Sequence, residues 1–266
     1  MTPRSCLFQI DDRSIEGLVW GDPNSPIIIA LHGWLDNAES FYKIAPLLAH
    51  YQVVSIDLAG HGRSGWRGRD ASYPLWGFIA DLYAVQCQLG VPTVRLLAHS
   101  LGAGIASMYA GVFAERVSHA ALIENLGPMV DEPEQFASQL RESIETSFSD
   151  QASPLKPRLT KAVIRSRATG RFPVPLDAAE RLVLRASEHL PNDECVLTYD
   201  PKLKASSQVR LTEAQVVATL QNIDASVLLV SGQDGLNLDL TQERLPFVKT
   251  IEHRILPGGH HLHLQD

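Results

Sequence analysis

The sequence predicts an α/β fold, a mostly parallel sheet with helices on both faces. Three observations predict it. Short β-rich runs alternate with segments of helical spacing through the first half of the 266 residues. Some of those runs, such as Ile27-Ile28-Ile29-Ala30-Leu31, are apolar at every position, as a strand buried on both faces must be. The same rhythm returns near the C-terminus after a long stretch of different character.

The elements follow in order. Leu7 to Ile10 and Ile15 to Trp20 flank Asp11-Asp12-Arg13 and read as an antiparallel hairpin. Ile27 to Leu31 is the first buried parallel strand. Ser40 is placed to cap a helix through Leu48, with Phe41, Ile44, Leu47 and Leu48 on one face. Val53 to Ile56 is a second buried strand, and Pro74 to Leu89 has helical spacing. Val94 to Leu97 is a strand, Ile105 to Phe113 a helix, and Ala120 to Ile123 another strand.

The rhythm breaks after Gly127-Pro128. From Asp131 to about Asn222 the chain reads as helices and polar loops with scattered prolines. Leu176 to Leu190 is amphipathic, and Thr212 with Gln215 matches a capping box. The sheet resumes at Val227 to Ser231, followed by a helix near Asp239 to Val248 and a strand near Ile251 to Leu256. The expected organisation is a first core part over 1–127, a mostly helical lid over 128–222 and a second core part over 223–266.

Composition narrows the function class. Hydrophobic residues make up 45% and charged residues 20%, which suits a soluble globular protein with a substantial core. A formal net charge of −7 argues against a nucleic-acid partner, which would need a basic surface. Cys6, Cys87 and Cys195 are odd in number and widely spaced, so neither a disulfide framework nor a cysteine metal site is expected. No signal-peptide run and no membrane-length apolar stretch is present, which points to a cytoplasmic location and no membrane partner.

The chemistry concentrates in a few places. Val94 to Leu97 runs into Ala98-His99-Ser100-Leu101-Gly102, with small residues two before and two after the serine and a helix immediately following. A serine on such a strand-to-helix turn has its hydroxyl lifted clear of the backbone. The turn also puts the Leu101 N–H at a helix N-terminus, where it can stabilise a developing oxyanion. His32-Gly33-Trp34 follows the first buried strand, and its glycine lets the Trp34 N–H face the same site. His32 itself reads as a loop-ordering hydrogen bonder.

A base is needed to take the serine proton, and His260, after Gly259 and the last strand, is the candidate. His261 and His263 read as structural, because no carboxylate or cysteine cluster converges there to make a metal site. Asp57 to Ser64 is a tight turn near the site and not a phosphate loop, since no Gly-Lys-Ser/Thr follows; Asp57 and Arg63 read as structural. Two carboxylates could orient the base: Glu124, at the end of one strand, and Asp234, just past another.

Taken together, His32-Gly33-Trp34, the Asp57 to Ser64 turn, the Ala98 to Gly102 elbow and Gly259-His260 resemble the α/β-hydrolase fold, in order and spacing, over nearly the whole chain. Glu124-Asn125-Leu126-Gly127-Pro128 and Tyr199-Asp200-Pro201-Lys202-Leu203 look most like its serine hydrolase-like branch. The resemblance implies Ser100 as nucleophile, His260 as general base and acid, and Trp34 and Leu101 as backbone oxyanion donors.

The chain departs from the family's pattern in three places. Ala98 stands where glycine is commonest. The usual acid pattern, Gly-x-x-Asp after the seventh strand, falls here on Gly232-Gln233-Asp234-Gly235, so Asp234 is one residue early. Some relatives carry the acid at the end of the sixth strand, where Glu124 sits, and this favours Glu124 over Asp234. The chain also stops at Asp266, so the fold's last helix is expected to be short or missing, as in a truncated product.

The implied activity is hydrolysis of an ester-like bond in a small substrate, without cofactor or metal. Trp34, Trp66, Trp76 and lid apolar residues suggest a hydrophobic acyl or alcohol pocket. The alternatives are carbon–carbon bond hydrolysis, cofactor-free perhydrolysis, or a small-molecule binder with weakened catalysis. A dehalogenase is disfavoured, since that chemistry wants aspartate at position 100.

Overall fold

The computed structural model describes residues 2–150, 155–236 and 238–265. Its first half contains β1 (Arg4–Ile10), β2 (Arg13–Trp20), β3 (Ile27–Leu31), β4 (Gln52–Ile56), α1 (Leu75–Gln88), β5 (Val94–His99), α2 (Leu101–Val112) and β6 (Val117–Ile123). The stretch from 128 to 222, expected as a lid, contains α3 (Phe136–Asp150), β7 (Arg158–Leu159), α4 (Thr160–Thr169), α5 (Leu176–Arg185), β8 (Ser187–His189), β9 (Glu194–Leu197) and α6 (Glu213–Leu220). The chain closes with β10 (Ser226–Asp234), α7 (Leu238–Arg244) and β11 (Ile251–Gly259).

The main sheet runs β1-β2-β4-β3-β5-β6-β10-β11. β1, β2 and β4 pair antiparallel, and every pairing from β4 to β11 is parallel. This order is what builds the site. β3, β5, β6, β10 and β11 are consecutive neighbours, so their carboxyl ends open onto one edge of the sheet.

Central strands are apolar on both faces because both faces are covered. Ile29, Leu31, Val54, Ile56, Leu96 and Leu122 join one buried cluster that includes Leu82, Val85 and Ile105 of α1 and α2. Trp20, Ile28, Ala30, Val53 and Leu97 join a second with Phe41. Close approach of α2 to the sheet requires glycine at 102, where a Cβ would collide with the Leu31 carbonyl.

The structure corrects two local expectations. There is no α-helix from Ser40 to Leu48. Two short 3-10 segments, Ala38–Phe41 and Ala45–Leu47, stand there instead. Asn37, three residues before Ser40, caps the first by accepting from Glu39 N, while Pro46 offers no N–H to a longer helix. The helix expected over 176–190 ends at Arg185, because residues 187–189 pair with β9. Between positions 128 and 222 a short sheet stands beside the helices. β7, β9 and β8 form a three-stranded antiparallel sheet of strands too short to show an alternating pattern.

Thr212 caps α6 in a capping box with Gln215. Val216 and Leu220 of α6 are fully buried in the main cluster, and a Cβ at Gly111 of α2 would collide with the Thr219 carbonyl, so α6 lies tightly on the core. Cys6, Cys87 and Cys195 are free. Among the described residues no helix is long and apolar enough to cross a membrane.

Candidate active site

Ser100 sits between β5 and α2 at φ 51°, ψ −112°, a left-handed conformation that a serine rarely adopts. Such strain costs roughly 1–3 kcal/mol and persists only where the surroundings enforce it. They do so here. Ser100 N donates to the Ile123 carbonyl at 2.9 Å, and the Asn125 side chain donates to the Ser100 carbonyl at 3.3 Å. Gly102 N donates to the His32 carbonyl at 3.1 Å, stitching the first turn of α2 to the loop after β3. In that loop a Cβ on Gly33 would lie 2.9 Å from His99 Nδ1 and 3.3 Å from Ser100 Cβ, so glycine lets the loop pack directly against the elbow.

His32 holds this loop. The Leu58 N–H donates to its Nε2 at 2.9 Å, so Nδ1 carries the proton and donates to the Gly33 carbonyl at 2.7 Å. Burial lowers its pKa to about 4, which keeps the ring neutral.

His260 follows β11, and its Nδ1 lies 3.0 Å from Glu124 Oε2. Glu124 follows β6 at φ 71°, like Ser100 a left-handed non-glycine residue, and only 2% of it is exposed. Its carboxylate accepts from Gly232 N at Oε1 and from Leu236 N at Oε2, the latter at 2.9 Å. It lies against Gly235, where a Cβ would penetrate the carboxylate. Asp234 takes no part in this contact. It is exposed, and its backbone pairs with Gly259 of β11.

Around His260 lies a buried polar cluster. His99 Nε2 donates to the His260 carbonyl at 2.8 Å. Asp36 Oδ2 lies 3.1 Å from His261 Nε2, and Arg167 Nη2 of the lid donates to Asp36 Oδ1 at 2.7 Å. Asp36, His99 and His261 bring ligand-type atoms within 4.8 Å of one another. Arg167 Nη2 already lies 3.0 Å from His261 Nε2, so the protein itself supplies the cation at this cluster. Burial alone would raise the Asp36 carboxyl; Arg167 and His261 outweigh it and hold it well below the usual carboxylate range. Burial also lowers the pKa of His263 to about 3.

Asp57 is buried and pairs with Arg185. Arg185 of α5 places Nε 3.0 Å from both Asp57 oxygens, while Ala38 N and Arg63 N donate to the same carboxylate at 2.7 and 2.9 Å. Of the tryptophans, Trp34 is half exposed and its indole donates to the Leu203 carbonyl in the lid at 2.9 Å. The Trp66 indole donates to the Thr198 carbonyl, and Trp76 is half exposed on α1. A cavity of about 1070 Å³ beside the Asp57–Arg185 pair is lined by Trp66, Arg67, Thr198 and Lys202 among others, and contains none of Ser100, Glu124 or His260.

Sequence reading missed Asp36, Arg167, Arg185 and Phe172. The first three meet partners 128 or more residues away, which no local pattern reports. For Glu124 a signal was present: glycine at 235 leaves space that a carboxylate from elsewhere must fill.

A hydroxyl on a strained turn, with an imidazole held by a buried carboxylate at strand ends of the same sheet, resembles the arrangement of hydrolases that work through a serine. Comparison with known proteins agrees at the level of family. The α/β-hydrolase fold profile matches residues 26–266. A serine hydrolase-like protein of Dictyostelium discoideum is 30% identical, over 95% of this chain and 75% of its own length. Human serine hydrolase-like protein 2 is 26% identical over 95% of this chain and 86% of its own. Among solved structures, a hypothetical protein of Pseudomonas aeruginosa PAO1 superposes with a TM-score of 0.92 at 32% identity, covering 98% of this chain and 93% of that one. The chain belongs to the α/β-hydrolase fold family, in its serine hydrolase-like group.

Proposed function

We propose that this protein cleaves an ester-like bond of a small, hydrophobic substrate through an acyl-serine intermediate. The observation that carries the reading is the 3.0 Å contact of His260 Nδ1 with the buried Glu124, on strand ends beside the Ser100 elbow. Glu124 accepts a proton-bearing Nδ1, which leaves the His260 Nε2 lone pair to act as base. Ser100 Oγ attacks the substrate carbonyl as His260 takes its proton. The Trp34 and Leu101 N–H groups receive the oxyanion. His260 returns the proton to the leaving alcohol, and a water activated by the same imidazole then releases the acid and regenerates Ser100. Asp234 has no role in these steps. The partner is the small substrate; nucleic acid, membrane, metal and cofactor do not enter.

The test is turnover of p-nitrophenyl esters of graded acyl length by the parent and by Ser100→Ala, with fluorophosphonate labelling alongside. Loss of turnover and of labelling in a folded variant is expected. Equal activity in Ser100→Ala would sink the reading, and a parent that binds esters without turnover or labelling would make the protein a binder.

A further inference from the structure

The lid reaches the candidate base through one arginine. Arg167 lies in α4, and its guanidinium enters the buried cluster behind His260. Nη2 donates to Asp36 Oδ1 at 2.7 Å, and Nη1 donates to the Phe172 carbonyl at 2.9 Å. The Phe172 ring lies against the His260 imidazole, with centroids 5.0 Å apart and planes at 50°. His261 stands edge-on to the same imidazole at 5.0 Å and shares Asp36 with Arg167. One side chain therefore joins a lid helix, a buried core carboxylate and the segment that presents a ring to His260.

The physical case rests on Asp36. Its side chain is 2% exposed, and a carboxylate removed from water needs a partner cation as well as hydrogen bonds. The guanidinium is planar and carries donors on separate nitrogens, so it can hold Asp36 and the Phe172 carbonyl at once. A lysine offers one nitrogen and cannot span both. Phe172 is half-buried, and its position depends on the backbone whose carbonyl Arg167 holds.

We propose that Arg167 is a positioning residue for His260, clamping the lid to Asp36 and setting the Phe172 ring against the imidazole. The proposal rests on His260 acting as the base for Ser100. Arg167 acts through Phe172 and does not meet the reacting atoms.

The experiment measures the second-order rate of fluorophosphonate labelling, with kcat and KM on p-nitrophenyl butyrate. The proteins are the parent, Arg167→Met, Arg167→Lys, Phe172→Leu and the double variant Arg167→Met/Phe172→Leu; near-UV circular dichroism monitors folding. The expected result is labelling and kcat about tenfold lower in Arg167→Met with KM within threefold, and partial recovery in Arg167→Lys. The double variant should be no slower than Arg167→Met alone, because both changes break one linkage. A folded Arg167→Met that labels within twofold of the parent overturns the proposal, as do single-variant losses that multiply in the double variant. Should Arg167→Met not fold, parental labelling rates in both Arg167→Lys and Phe172→Leu overturn it equally. A parent that does not label is a different failure, that of the hydrolase reading itself.

Discussion

Gly235 provides the space that the Glu124 carboxylate occupies: a Cβ at 235 would overlap both carboxylate oxygens. Residue 235 is the position at which related folds are expected to carry their acid. In this chain an acid on the neighbouring strand fills that place from the side, with the Gly232 and Leu236 amides to receive it.

Glu124→Gln and Asp234→Asn should therefore differ. The first keeps the shape but removes the charge that fixes the imidazole tautomer, and kcat should fall by on the order of 10²–10⁴. The second changes an exposed side chain and should leave kcat within about twofold. Steady-state kinetics on one p-nitrophenyl ester checks both, and equal mild effects would refute the assignment of Glu124.

Gly235→Ala tests the cradle without replacing any candidate catalytic residue. The added methyl must displace a carboxylate held by two amides, so kcat should drop more than about tenfold, on the scale of one lost positioning hydrogen bond. Parental kinetics in a folded Gly235→Ala would mean that Glu124 has room to spare.

Stability should fall as the solution is acidified from pH 7 to 5. Burial depresses the pKa of His32 to about 4 and of His61 and His263 to about 3, from an ordinary 6.5. Between those values the unfolded chain binds protons that the folded chain refuses, so stability rises with pH across that window and is lost as pH falls through about 6.5. Each ring contributes roughly 2 kcal/mol between pH 7 and 5. Urea midpoints against pH would show the slope, and His263→Leu should make it shallower; a slope unchanged by that substitution counts against the assignment.

Breaking the Asp57–Arg185 pair should be costly, because Arg185→Met leaves a fully buried carboxylate without its cation. The expected loss is about 3–5 kcal/mol, or on the order of 10 °C in Tm. Differential scanning calorimetry checks it, and a change under about 2 °C would show that the pair contributes little.

The parts of the candidate site that were legible in the sequence are local ones. The Ala98 to Gly102 elbow, the His32-Gly33-Trp34 loop and Gly259-His260 each follow an apolar run, and the chemistry of each is written within a few residues. The same locality explains where reading failed. From Ser40 to Leu48 apolar spacing imitates a helix, but the Asn37 cap and Pro46 favour two short turns. β7, β8 and β9 are only two to four residues long, too short to leave a periodic trace.

By itself the sequence determined the α/β class, the elbow serine and the histidine after the last strand, because burial on two faces and sharp turns constrain residue type at each position. Only the tertiary structure decided which carboxylate meets the histidine and which lid residues meet the core. Those choices depend on which strand ends are neighbours in the sheet and on how a loop turns its side chains. Arg167 and Asp36 are 131 residues apart in the chain, and the burial that makes their pairing necessary exists only in the folded chain.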